Sequence, residues 1–171
     1  MKNFVLLLIV LLSATTINAQ EQQKKSRKEI RAEKKAALIE QTKKLVESKN
    51  FEFVAQRAMP TGGKTISITS FGAQLKGDTI DSYLPYYGRA YTADYGSSTS
   101  PLNFTSPIEN YSETKNKKGY QIEFKARRGT DNITYHFQIF EDGSASLNIN
   151  STNRQPISFS GRIEEIKEPD E

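Results

Sequence analysis

His136 is the only imidazole in a chain that has no cysteine. A thiol nucleophile and a zinc site built from cysteine and histidine are therefore excluded, and a serine nucleophile would have a single base to draw on. That histidine sits in the polar register of its strand, beside Thr134 and Gln138, and no serine stands at a strand-to-helix elbow. A surface histidine is the simpler reading. Gly62-Gly63-Lys64-Thr65 has the closing letters of a phosphate-cradling loop, but lacks the first glycine at the required spacing and the apolar helix that should follow. The carboxylate pairs Asp78 with Asp81 and Glu141 with Asp142 lie at or beside expected turns, where turn chemistry accounts for Asp78 and Asp142. Nor does any stretch space its oxygen ligands as a calcium loop does. The chain reads as a non-enzyme, with no catalytic, cofactor-binding or metal-ligating residue to name.

What remains is YLPYYGRAYTADYG, Tyr83 to Gly96, which holds five of the eight tyrosines and is interrupted by Pro85 and Gly88. Proline fixes φ and glycine relaxes it, so the pair implies a defined corner flanked by amphipathic rings. Each buried phenol needs a hydrogen-bond partner, so such a cluster is either a core plug or a half-wet binding rim. The plug is the simpler expectation. If the corner binds anything, its rim is Tyr83, Tyr86, Tyr87, Arg89 and Tyr91. If Gly88 has φ above zero, a β-branched residue there would be strained.

The elements that position this corner follow from pattern. Lys2, the apolar run Phe4 to Leu12 and the small or polar Ser13 to Ala19 have the three regions of a signal peptide, with cleavage expected after Ala19. Residues 1–19 are thus read as a signal peptide, 20–49 as a basic helix and 50–171 as an antiparallel β domain, in a periplasmic or secreted protein. The mature chain suits one domain, burying roughly 70% of its unfolded surface, enough to stand without disulfides. Charge is uneven: Gln20 to Lys49 holds ten Lys/Arg against five Asp/Glu, whereas Asn50 to Glu171 holds thirteen against fifteen. Export and this acidic balance argue against nucleic acid as a partner.

Ser26 followed by Glu29 has capping-box spacing, and predicts a helix running to about Ser48. Arg27, Lys28, Arg31, Lys34 and Lys35 load its first half, a solvated face whose functional alternative is weak contact with an anionic envelope surface. Leu38, Ile39, Leu45 and Val46 load the second half, which should dock on the domain. From Phe51 onward the period is two. Phe51, Phe53 and Ala55 open a strand that ends near Pro60, and Thr65 to Leu75 changes phase near Ser70, as a bulge or a short break would make it. Gly77-Asp78 predicts a hairpin into Thr79 to Leu84, and Leu102 to Thr105 a short strand ending before Pro107. Tyr120 to Ala126, Ile133 to Ile139, Ala145 to Ile149 and Ile157 to Ile163 each keep one apolar and one polar face across short turns. That is an antiparallel meander. About eight strands close most economically into a small up-and-down, lipocalin-like barrel with the helix packed on it, the alternative being a β-sandwich.

The order of these parts, with LPYYGRAY and the closing NRQPISFSG as its most specific stretches, resembles a family of small exported proteins of Bacteroidota-type bacteria known only as a domain of unknown function. The resemblance spans the mature domain and implies an envelope location. It implies no activity, cofactor or catalytic residue. Two functions fit these observations: a structural or protein-interaction module with an envelope partner, or a barrel that carries a small apolar or amphipathic ligand behind the tyrosine rim.

Overall fold

The computed structural model describes residues 26–91 and 99–167. The expected signal peptide, the rest of the segment before Ser26, and Tyr95 of the corner lie outside them. The Ser26 amide donates to Glu29 Oε2 at 2.8 Å and the Glu29 amide to Ser26 Oγ at 3.2 Å, the reciprocal pair of a capping box. Helix α1, Arg27–Glu47, starts there. Its residues up to Lys34 are exposed. Further along, Thr42, Leu45 and Val46 are buried, and Ile39 is half-buried on the same stripe. Leu38, expected on that docking face, is instead 38% exposed. The stripe that meets the barrel runs through Ile39, Thr42 and Val46 at three- and four-residue steps, and Leu38 falls to one side of it.

Eight strands follow: β1 (Asn50–Pro60), β2 (Ile66–Lys76), β3 (Thr79–Tyr83), β4 (Asn103–Asn116), β5 (Gly119–Arg128), β6 (Asp131–Phe140), β7 (Ser144–Ser151) and β8 (Ile157–Glu164). Each pairs antiparallel with the next, and β8 returns to β1, so the sheet closes into a barrel rather than opening as a sandwich. Closure gives β1 and β8, the two ends of the meander, a partner on both sides. Connections at one end are the tight turns at Gly77-Asp78, Lys117-Lys118 and 141–143, and the second half of α1 docks there. The β3–β4 connection and the loop before β8 share the other end with the β1–β2 and β5–β6 turns.

The phase slip in β2 is real: Ser70 has φ of 63°, and pairing with β1 jumps from Ala55↔Phe71 to Arg57↔Ser67. β4 differs from expectation. It runs through Pro107 to Asn116, because Pro107 stands where β4 hands over from β3, last paired at Thr79↔Pro107, to β5, first paired at Ile108↔Ala126. At such a handover a missing N–H disrupts neither ladder. The run from Glu109 onward lacks an apolar face and is strand only because β5 supplies its partner.

Inside, Phe51, Phe53, Phe124, Tyr135, Phe137 and Phe159 are buried with Leu and Ile from every side. The Phe137 ring meets Phe51 and Phe53 edge-on at 5.9 and 5.7 Å between centroids, and stacks on Phe124 at 6.0 Å. Rings at these separations leave the barrel filled by its own side chains.

Among the described residues the Tyr135 hydroxyl is the one buried side-chain polar atom without a hydrogen bond. Ser82 lies alongside, its own hydrogen donated to the Leu102 carbonyl at 2.7 Å, so that towards the phenol it could only accept. Burial pushes the Tyr135 pKa well above its ordinary value, with the neighbouring Ser82 hydroxyl opposing and the Asp131 charge adding to it. Tyr135→Phe removes an unsatisfied group and is expected to raise stability by about 1 kcal/mol, read from the denaturant midpoint. The sign with pH follows. The folded chain keeps this proton while the unfolded chain loses it near pH 10, so the stability is intact below about pH 10 and falls by about 1.4 kcal/mol per further unit from this residue alone. The variant should show a shallower alkaline loss.

Candidate functional site

The corner lies at the loop end of the barrel and is tied down at both roots. Leu84 and Leu102 are buried beneath it, Ser100 Oγ donates to the Leu84 carbonyl at 2.6 Å, and the Leu102 amide donates to Ser100 Oγ at 3.2 Å. Its five rim candidates divide. Tyr83 ends β3 facing outward and lies across Gly72 of β2, where an added Cβ would be 2.4 Å from the Phe53 carbonyl oxygen and 2.8 Å from the Tyr83 hydroxyl. That hydroxyl donates to the Glu52 carboxylate on β1, which also accepts from Gln74 Nε2 at 3.4 Å. Burial, reinforced by the bond to Glu52 and its charge, raises the Tyr83 pKa. Tyr83 is a strap over three strands.

Tyr86 is the second structural ring. Its hydroxyl shares one hydrogen between the Arg89 carbonyl at 2.9 Å and the Gln155 carbonyl at 3.0 Å. Burial raises its pKa, with the Arg154 guanidinium opposing. Around it, residues 89–91 zip onto 153–155: Gln155 N–H donates to the Arg89 carbonyl at 3.0 Å, Tyr91 N–H to the Asn153 carbonyl at 2.8 Å, and Arg89 N–H to Gln155 Oε1 at 3.3 Å. Tyr87 and Tyr91 are left 42% and 68% exposed, with Arg89 exposed between them.

Gly88 does not have a positive φ, so the condition for backbone strain is not met. Its constraint is space, since a Cβ there would lie 2.3 Å from the Tyr86 hydroxyl. Gly88→Val is therefore expected to displace the Tyr86 ring from two carbonyls, at about 1–3 kcal/mol. In a Tyr86→Ala background the same change should cost much less, a non-additivity that a double-mutant cycle of thermal or denaturant unfolding reads directly.

Beneath the zipper is a buried ion pair that the sequence did not reveal. Asp131 and Arg154 are 5% and 6% exposed and lie 3.2 Å apart, Oδ2 to Nη1. Asp131 also accepts from the Ser151 hydroxyl at 2.7 Å, the Thr152 hydroxyl at 3.1 Å and the Asn153 amide at 3.3 Å. One carboxylate thus organises the whole Ser151–Arg154 bend against which residues 89–91 lie. In sequence Asp131 falls in the short turn between the Tyr120 to Ala126 and Ile133 to Ile139 runs, beside Gly129. Parity was the available signal, because 131, 133, 135, 137 and 139 share the inward register of β6.

The profile of a family described as a domain of unknown function, DUF4251, matches residues 33–163. The chain belongs to that family. A crystal structure of a DUF4251 family protein from Bacteroides eggerthii DSM 20697 is similar in fold, with a TM-score of 0.59 at 14% identity, covering 77% of this chain and 91% of that one. No functionally curated protein matches.

Elsewhere on this DUF4251 barrel, His136 sits on the outer face, its Nδ1 3.2 Å from Glu123 Oε2. Among the described residues no group of three His, Asp or Glu side chains could hold a metal ion, and no helix is long and apolar enough to cross a membrane.

Proposed function

We propose that the domain is a non-catalytic protein-interaction module of the cell envelope, and that Tyr87, Arg89 and Tyr91 are the residues its partner meets. The observation that carries this reading is the division of the corner: Tyr83 and Tyr86 are spent on holding it, while two tyrosines and an arginine are held exposed on a fixed backbone. Aromatic rings and arginine are the residues most enriched at interface hot spots, and a pre-ordered loop loses little entropy on binding. The filled interior argues against the carrier alternative. Export is supported by the signal-like run before Gln20, and the basic start of α1 would add weak attraction to an anionic envelope surface.

A photo-crosslinking residue placed at position 87 or 91 in the native host should give a discrete heavier adduct that the same probe at Lys64 does not. Absence of that adduct, or the same adduct from Lys64, overturns the assignment. Intact-mass measurement of the exported chain should find Gln20 at its N-terminus, and a lipid-modified or unprocessed form overturns the export reading. Fluorescent fatty acids and retinoids should bind no tighter than about micromolar, near −8 kcal/mol. Nanomolar binding lost in Phe124→Ala would make the protein a carrier.

A further inference from the structure

The outer face of β4–β8 carries two rows of side chains in register. The first runs Thr114, Gln121, Gln138, Ser146 and Ser160, each opposite the next on the neighbouring strand. Two residues along, the second runs Ser112, Glu123, His136, Asn148 and Ser158. The rows are braced internally, since Gln121 Nε2 donates to Gln138 Oε1 at 3.0 Å, Asn148 Nδ2 to Ser158 Oγ at 2.8 Å, and His136 faces Glu123 at 3.2 Å. Between them is a depression of about 550 Å³, floored by the backbone of Ile122, Phe137 and Leu147. It is a lane of donors and acceptors running across the strands, three pairs of which are held against each other.

We propose that this lane binds a neutral glycan chain laid across β4–β8, its rings between the two rows. Strands are about 4.8 Å apart, close to the length of one sugar ring, so a chain crossing them meets a fresh pair of side chains with each ring. The rows are about 7 Å apart, two residues along a strand, which lets hydroxyls on both sides of a ring reach a partner. Serine, threonine, asparagine and glutamine both donate and accept, as sugar hydroxyls do. Charge selects among occupants. No lysine or arginine lines the depression, and its carboxylate is engaged by His136, so an anionic polymer or lipid headgroup finds no counter-charge. No tyrosine, tryptophan or arginine stands on the lane to anchor a protein. The proposal is independent of the corner, which faces another partner.

Affinity electrophoresis of the full chain through gels containing dextran, mannan or starch tests it, with alginate as the anionic control. At least one neutral polymer should retard the wild type, and Gln138→Ala with Asn148→Ala should abolish the retardation, whereas Tyr87→Ala with Tyr91→Ala leaves it unchanged. No retardation, retardation by alginate alone, or full retardation of the lane variant overturns the proposal. Should the lane variant fail to fold, titration of the wild type with oligosaccharides of the same three polymers, followed by amide NMR, decides the matter. Shifts centred on residues 136–148 support the lane, and shifts elsewhere or none refute it.

Discussion

Asp131→Ala is expected to lower the stability of the domain by about 3–5 kcal/mol, because it leaves the Arg154 guanidinium buried without its carboxylate and strips the Ser151–Arg154 bend of its common acceptor. The loss should appear in both thermal and denaturant unfolding. A further expectation separates the ion pair from the packing around it. Replacing both partners by apolar residues of similar volume, Asp131→Leu with Arg154→Met, should recover part of the loss, since paired buried charges are worth little more than a hydrophobic substitute. The recovered protein should nevertheless have a loosened corner. The Ser151 and Thr152 hydroxyls would still lack the carboxylate, the Asn153 amide would keep only Ser151 Oγ, and residues 89–91 depend on that bend. Limited proteolysis between Tyr83 and Asn103 would register this, and a single mutant as stable as wild type would show that the pair organises nothing.

Phe137→Ala is the second large effect, at about 3–5 kcal/mol, because its ring touches Phe51, Phe53 and Phe124 and the closed barrel has little freedom to collapse into the space vacated. A closed sheet held at fixed strand separation is a poor shock absorber. The cavity left should be dry and apolar, so benzene should bind it and restore part of the lost stability, as apolar molecules do in engineered cavities of this kind. The wild type should show no such stabilisation. Stabilisation of the wild type by benzene would mean that the interior has room the packing denies, and would reopen the carrier reading.

How much was legible from residues alone depends on how local each cause is. The capping box of α1 and the period-two strands β5 to β8 are written in neighbouring residues, and they were found where expected. The bulge at Ser70 announced itself by a change of phase within β2. The second half of β4 did not, because an exposed run such as ENYSETKN has no apolar alternation and takes its conformation from β5. The corner was located but could not be divided. Whether a tyrosine is strap or surface is decided by Glu52, Gly72 and Gln155, which lie far away in sequence. The two outer rows were visible as polar parity, yet only the strand register sets Gln138 against Ser146 and His136 against Asn148.

Seven of the eight strand pairings join strands adjacent in the chain, and only that of β1 with β8 joins strands far apart in it, Phe53 against Ile163. Hairpin contacts form cheaply, whereas a long-range contact must first overcome the entropy of closing the chain between its members. The barrel is therefore a zipper with one seam, and the seam should be last to form and first to part. Until it shuts, two bare edges are available to any neighbouring chain. At that seam a Cβ on Gly161 would lie 2.0 Å from the Val54 carbonyl oxygen, so even alanine there would hold the edges apart. Such a variant would resemble the wild type in every local strand and differ chiefly in its tendency to polymerise.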